Sequence, residues 1–162
     1  EGRHPGREQP ARRGGGRTAA EAGGGQRLTG SHRLDLDDPR LRSFWQERHL
    51  STVTTLTSTG RPHTVPVAPT LDPDRGVLRI LSSRGSQKIR NVATSSDTAW
   101  VSVCQVDGRR WCTLNGVAHI LSDREAVADA ERRYTTRFRA PRPNPERVVL
   151  LITIETAIGT LR

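Results

Sequence analysis

From residue 49 to the C-terminus, apolar and polar side chains alternate in short runs that turn residues interrupt. A period of two marks strands that bury one face and expose the other. Residues 49–60, HLSTVTTLTSTG, are rich in Thr and Val and end on the turn pair Thr59-Gly60. Residues 61–71, RPHTVPVAPTL, read as a second strand and 77–83, VLRILSS, as a third, with the turn DPDRG between them. Residues 97–106, DTAWVSVCQV, and 110–122, RWCTLNGVAHILS, form a hairpin across Asp107-Gly108. Residues 147–161, RVVLLITIETAIGTL, make a long closing strand.

Three segments carry the helical period instead. In residues 37–48, Asp37 or Asp38 caps a short helix, Pro39 suits its first turn, and Leu41, Phe44 and Trp45 share a face. Ser86 caps a small helix after the break at Gly85. Residues 122–138 read as a helix with a capping box from Ser122 to Glu125, and Ala126, Val127, Ala130 and Tyr134 face the core. The loop RAPRPNPE leads into the last strand. Six strands, mostly in hairpins, with short flanking helices predict a mainly β fold, a small closed or split β-barrel. Pro66 and Pro69 interrupt this picture, because proline cannot donate to a sheet ladder. They belong on an edge strand, or on a strand whose free side lies against a ligand.

Composition shifts the domain boundary. The mean hydropathy of −0.63 reflects residues 1–33, which hold almost no large apolar side chain besides Leu28. Such a stretch buries too little apolar area to offset its chain entropy. It is expected to be a disordered Arg/Gly-rich tail, with the folded domain at 34–162. It lacks the apolar core of a signal peptide, and no segment approaches the roughly 20 apolar residues of a membrane helix. The net charge of +9 leaves a basic domain, which favours an anionic partner. The arginines are scattered, so nucleic acid is not favoured. Cys104 and Cys112 are the two cysteines. They show no metal-ligand spacing and read as reduced thiols of a cytoplasmic protein. A two-residue hairpin loop would put them on opposite faces of the sheet, a three-residue loop opposite each other. An aromatic content of 4% makes so small a core marginal alone, so a homodimer is expected.

Lys88 is the single lysine among 26 basic residues. It follows Ser82, Ser83, Gly85, Ser86 and Gln87 at the exit of the third strand. Hydroxyls, a helix start and an ammonium together suit a phosphate group. The GK[ST] ending of a nucleotide-triphosphate loop is absent.

GRPHTVPVAPTLD followed by RILSSRGSQKIRNV resembles the FMN-binding split barrels of the pyridoxamine phosphate oxidase superfamily. ERHLSTVTTL, QVDGRRW, DAERRYTTRFRAPRPNPERVV and the ending IG are similar, more specifically, to the biliverdin reductases that use coenzyme F420. The likeness spans nearly all of residues 38–160. It implies a homodimer with the cofactor site at the subunit interface. It implies that Gln87 and Lys88 meet the cofactor phosphate with Ser82 and Ser83 nearby, and that Val65, Pro66, Val67 and Ala68 run along the ring system. Trp111 falls where the oxidases have a glutamine that reaches the cofactor from the partner subunit. Three departures count against pyridoxamine phosphate oxidation: the indole of Trp111, Gln-Lys in place of Arg-Lys, and a C-terminus, AIGTLR, without the oxidase substrate residues.

The resemblance implies hydride transfer from reduced F420 to biliverdin or a similar conjugated substrate, giving bilirubin. Arg139 and Arg142, held in a proline-rich loop, are candidates for the substrate carboxylates. His63 is a possible proton donor, although a strand histidine is more often structural. No residue is assigned as catalytic. Two alternatives stand beside this reading: an FMN-dependent oxidase-like enzyme, and a non-enzymatic cofactor or tetrapyrrole binder.

Overall fold

The computed structural model describes residues 32–95 and 98–162. In chain order the elements are β1 (His32–Leu34), α1 (Pro39–Gln46), β2 (Ser51–Leu56), β3 (Pro62–Val67), β4 (Pro69–Asp72), β5 (Val77–Ser83), α2 (Gln87–Ala93), β6 (Trp100–Asp107), β7 (Arg110–Leu121), α3 (Arg124–Arg137) and β8 (Arg147–Thr160). The mainly β class holds, but there are eight strands rather than six. β1 is three residues long, too short to show a period. The second expected strand is two, because the chain changes partners at Ala68. Most of the expected tail lies outside the described residues. Its last two members, His32 and Arg33, belong to β1 and pair with Gly159 and Ile158.

The sheet is antiparallel throughout and runs β3-β2-β6-β7-β8-β5-β4, with β1 on the free edge of β8. Its two end strands, β3 and β4, are consecutive in the chain. The sheet must therefore curl until its ends nearly meet. Inside the curl lie Val53, Leu78, Ile80, Val103, Leu114, Leu150 and Ile152, and α1 adds Leu41, Phe44 and Trp45.

Local chemistry explains the boundaries. The Asp38 carboxylate accepts from Arg40 N at 2.9 Å and caps α1. α3 starts one residue later than the expected capping box, because Asp123, not Ser122, accepts from Ala126 N at 2.8 Å. Ser86 precedes α2 without capping it, and its hydroxyl meets that of Ser82 at 2.9 Å. Gly108, at φ 58°, opens the two-residue turn between Asp107 and Arg110. Cys104 accordingly pairs with Thr113 and Cys112 with Gln105, so the two thiols face opposite sides. Burial pushes the Cys112 thiol up to about 11, which leaves it unreactive at neutral pH.

Pro62 and Pro66 stand four apart on β3, which pairs only with β2. Their missing N–H groups turn to the free edge, so the ladder to β2 continues unbroken. Helix α3 packs on the outside of β4, β5 and β8. Arg79 meets Asp72 at 3.4 Å and Asp129 at 3.5 Å, while Arg133 meets the same two carboxylates at 3.2 and 2.9 Å.

Candidate active site

The free edge of β3, the exit of β5 and the end of α3 enclose a cavity of about 620 Å³. Pro66, Val67 and Ala68 form one wall, and residues 139–144 with Tyr134 form another. Leu81, Ser83, Lys88 and Arg147 complete the lining. Four of the lining residues are cations, Lys88, Arg139, Arg142 and Arg147, and none is acidic. Arg147 is partly neutralised by Glu131 at 2.7 Å. A concave site with this donor set has the charge to suit an anion.

The loop that carries Arg139 and Arg142 is held at its far end. Asn144 donates to the Ser83 hydroxyl at 2.8 Å and accepts from Glu146 N at 2.9 Å. Arg84 N donates to Glu146 O at 2.9 Å, and Arg147 donates to Arg142 O. Pro141, Pro143 and Pro145 restrict the rest of the loop. Lys88 is half-buried, and burial lowers its pKa from the ordinary 10.5.

Seven of the eleven residues expected at a binding site line this cavity: Pro66, Val67, Ala68, Ser83, Lys88, Arg139 and Arg142. The other four do not. Val65 packs against the core. Ser82 is buried, with its hydroxyl against Ser86. Gln87 spends both ends of its amide within α2, donating to Asn91 at 2.7 Å and accepting from Arg90 at 2.6 Å. Trp111 lies at the start of β7, opposite Val106 and Thr160. His63 also stays outside the lining, and its Nδ1 is buried without a partner among the described residues. The sequence reading missed Leu81, Tyr134, Asn144 and Arg147. The helical period of α3 marks Tyr134, but only as a core residue; Leu81, Asn144 and Arg147 stand inside the segments that carry the resemblance, without a role of their own.

Over β2, β6 and β7 the outward face of the sheet, which also carries Pro66 opposite Thr52, is different in kind. Its outward positions are Leu50, Thr52, Thr54 and Leu56 on or beside β2; Trp100, Ser102, Cys104 and Val106 on β6; and Trp111, Thr113, Asn115 and Val117 on β7. None of them is charged, although 27% of the chain is. Among the described residues, Leu50, Leu56, Trp100 and Val106 are the large exposed apolar side chains.

Residues 37–160 match the family model of pyridoxamine 5'-phosphate oxidase. The chain belongs to this oxidase family. Among family relatives, it is 45% identical over 126 residues to the F420H(2)-dependent biliverdin reductase of Mycobacterium tuberculosis, covering 77% of this chain and 88% of that one. A crystal structure of a conserved hypothetical protein from the same species superposes with a TM-score of 0.65 at 20% identity, over 77% of this chain and 85% of the other. A solved F420 reductase superposes with a TM-score of 0.58 at 19% identity, over 72% and 94%. At these identities the structural likeness establishes the fold of the family.

Proposed function

We propose that this protein is an F420H2-dependent reductase of biliverdin or a similar conjugated, multiply anionic substrate, with bilirubin as the product from biliverdin. The observation that carries the reading is the cavity walled by β3 on one side and lined by four cations and no carboxylate. The 45% identity to a reductase of that name supports it. F420 carries a phosphodiester and glutamates, and biliverdin carries two propionates; both fit a cation-lined donor set.

When bound, reduced F420 supplies a hydride from carbon. The chain's own residues bind, orient and exclude water. Lys88 offers a mobile point charge to a phosphate, with the Ser83 hydroxyl beside it. Arg139 and Arg142 present guanidinium forks to carboxylates. Pro66 to Ala68 give a wall along which a flat ring system can lie. Reduction adds a hydride to the central methine carbon and a proton to a pyrrole nitrogen. The Lys88 ammonium and the Tyr134 phenol are cavity groups that carry a transferable proton; water is the third source.

The functional unit is a homodimer joined through the charge-free outer face, which would bring Trp111 of one copy toward the cofactor of the other. The proposed compartment is the cytoplasm. No helix among the described residues is long and apolar enough to cross a membrane.

The test is fluorescence titration with oxidised F420 and, in parallel, FMN, followed by turnover of biliverdin with reduced F420. Selective F420 binding and conversion to bilirubin are expected. Preference for FMN would make the oxidase-like reading the lead. F420 binding without turnover would leave a cofactor carrier.

A further inference from the structure

QVDGRRW and DAERRYTTRFRAPRPNPERVV, two of the segments that carry the family resemblance, meet at the Arg137 side chain. Arg137, the last residue of α3, donates to Pro69 O at 2.6 Å, to Glu47 O at 3.1 and 2.7 Å, and to Gln105 Oε1 at 2.7 Å. Its guanidinium carbon lies 5.8 Å from the Trp45 ring centre and 4.8 Å from that of Phe138. Burial pushes its pKa down to about 10, so it stays charged at neutral pH. No carboxylate pairs with it among the described residues. Gln105 is fully buried and extends the contact, donating to Phe44 O at 2.7 Å and accepting from Ser51 Oγ at 3.3 Å.

Arg137 is partly buried, and a partly desolvated cation without a counter-ion gains little stability from its charge. What the guanidinium provides instead is a set of fixed distances between three elements. Two of the tied segments, Pro69 and the end of α3, lead to the cavity. Pro69 follows Ala68, which belongs to the β3 wall. Tyr134 lies one turn before Arg137 and Arg139 two residues after it, and both belong to the facing wall.

We propose that Arg137 is a positioning residue for the cavity: it ties the end of α3 to the carbonyls of Pro69 and Glu47 and to Gln105, and so holds the two walls at a fixed spacing. The ligand arm of the test rests on the function proposed above. The exchange arm does not.

The variants are Arg137→Gln, Arg137→Lys and, as a stability control outside the cavity lining, Leu114→Ala. Hydrogen exchange is followed in the full chain without ligand, at a temperature where circular dichroism shows each variant folded. Arg137→Gln is expected to speed exchange at residues 67–72 and 138–147 by about tenfold or more over the rest of the chain. Arg137→Lys, which keeps the charge but not the fork, is expected to lie between it and wild type. Leu114→Ala is expected to lower the melting temperature without this local pattern. In the F420 titration, Arg137→Gln is expected to weaken binding about tenfold or more while Leu114→Ala binds like wild type. The proposal is overturned if the exchange pattern of Arg137→Gln matches that of Leu114→Ala. It is also overturned if Arg137→Gln binds as tightly as a wild type that does bind. If Arg137→Gln does not fold, Arg137→Lys is judged by the same comparison. A wild type that fails to bind F420 sinks the proposed function, and the exchange arm still decides the role of Arg137.

Discussion

Lys88→Met should move binding and stability in opposite directions. The ammonium is half-buried, borders the cavity, and its pKa is lowered by burial with no offsetting partner. Folding therefore weakens proton binding at this base. Below the depressed pKa the charge costs stability, and that cost disappears as pH rises toward 10.5. At neutral pH the methionine variant should melt above wild type in the absence of ligand. Binding should suffer, because a hydrogen bond to a charged group contributes about 1.5–3 kcal/mol, or roughly 10- to 150-fold in Kd. With F420 at about 100 times the wild-type Kd, ligand stabilises wild type by about 2.7 kcal/mol and the variant by only about 0.3–1.4 kcal/mol. The order of melting temperatures is thus expected to narrow or invert on adding ligand. Fluorescence titration and thermal melts with and without F420 read both halves. An unchanged Kd removes Lys88 from the site. A lower melting temperature without ligand shows that the ammonium has a stabilising partner, and refutes the burial argument.

Four further outcomes are expected. F420 affinity should fall as pH rises through the depressed Lys88 pKa, and Lys88→Met should abolish that slope in titrations across pH. Arg110, and then His49, hold the Glu47 carboxyl down to about 2 from 4.5; its stabilising contribution is present above 4.5 and lost as pH falls toward 2, so acid melts of Glu47→Gln should show a shallower decline. Gly159→Ala would drive a methyl group into the Trp111 carbonyl, forcing β7 and β8 apart; urea denaturation should show a loss of about 1–3 kcal/mol or more. Cys104 sits at the centre of the charge-free face, between Thr52 and Thr113; light scattering should find a dimer for wild type and a monomer for Cys104→Arg.

Much of the sheet was readable in advance because its signals are local. The Thr and Val alternation of β2, the turn at Asp107-Gly108 and the face of Leu41, Phe44 and Trp45 each depend on neighbours within a few residues. Pro66 was readable as an edge residue, and β3 is an end strand of the sheet whose free side borders the cavity. The break at Ala68 was not readable. Residues 61–71 look continuous until β3 pairs with β2 and β4 with β5, and only those partners show that the chain changes sheet edges there. Gln87 shows what the linear chain leaves out. Its place beside Lys88 invited a phosphate contact, yet Asn91 and Arg90, one helical turn away, occupy its amide.

Alternation, turn chemistry and charge balance belong to the linear chain, so sequence alone determined a basic, mainly β domain with an unusual lysine after its third long strand. Which cations converge is a different kind of fact. Lys88, Arg139, Arg142 and Arg147 come from a helix, a loop and a strand start that meet only because β5 pairs with β8 from Val77↔Thr153 to Ser83↔Arg147. A one-residue slip in that register would turn every side chain of β8 to the other face. The burial of Arg137 likewise needs α1, β4 and β6 brought together. The tertiary structure decided these points because each depends on the pairing of distant segments, which no local period encodes.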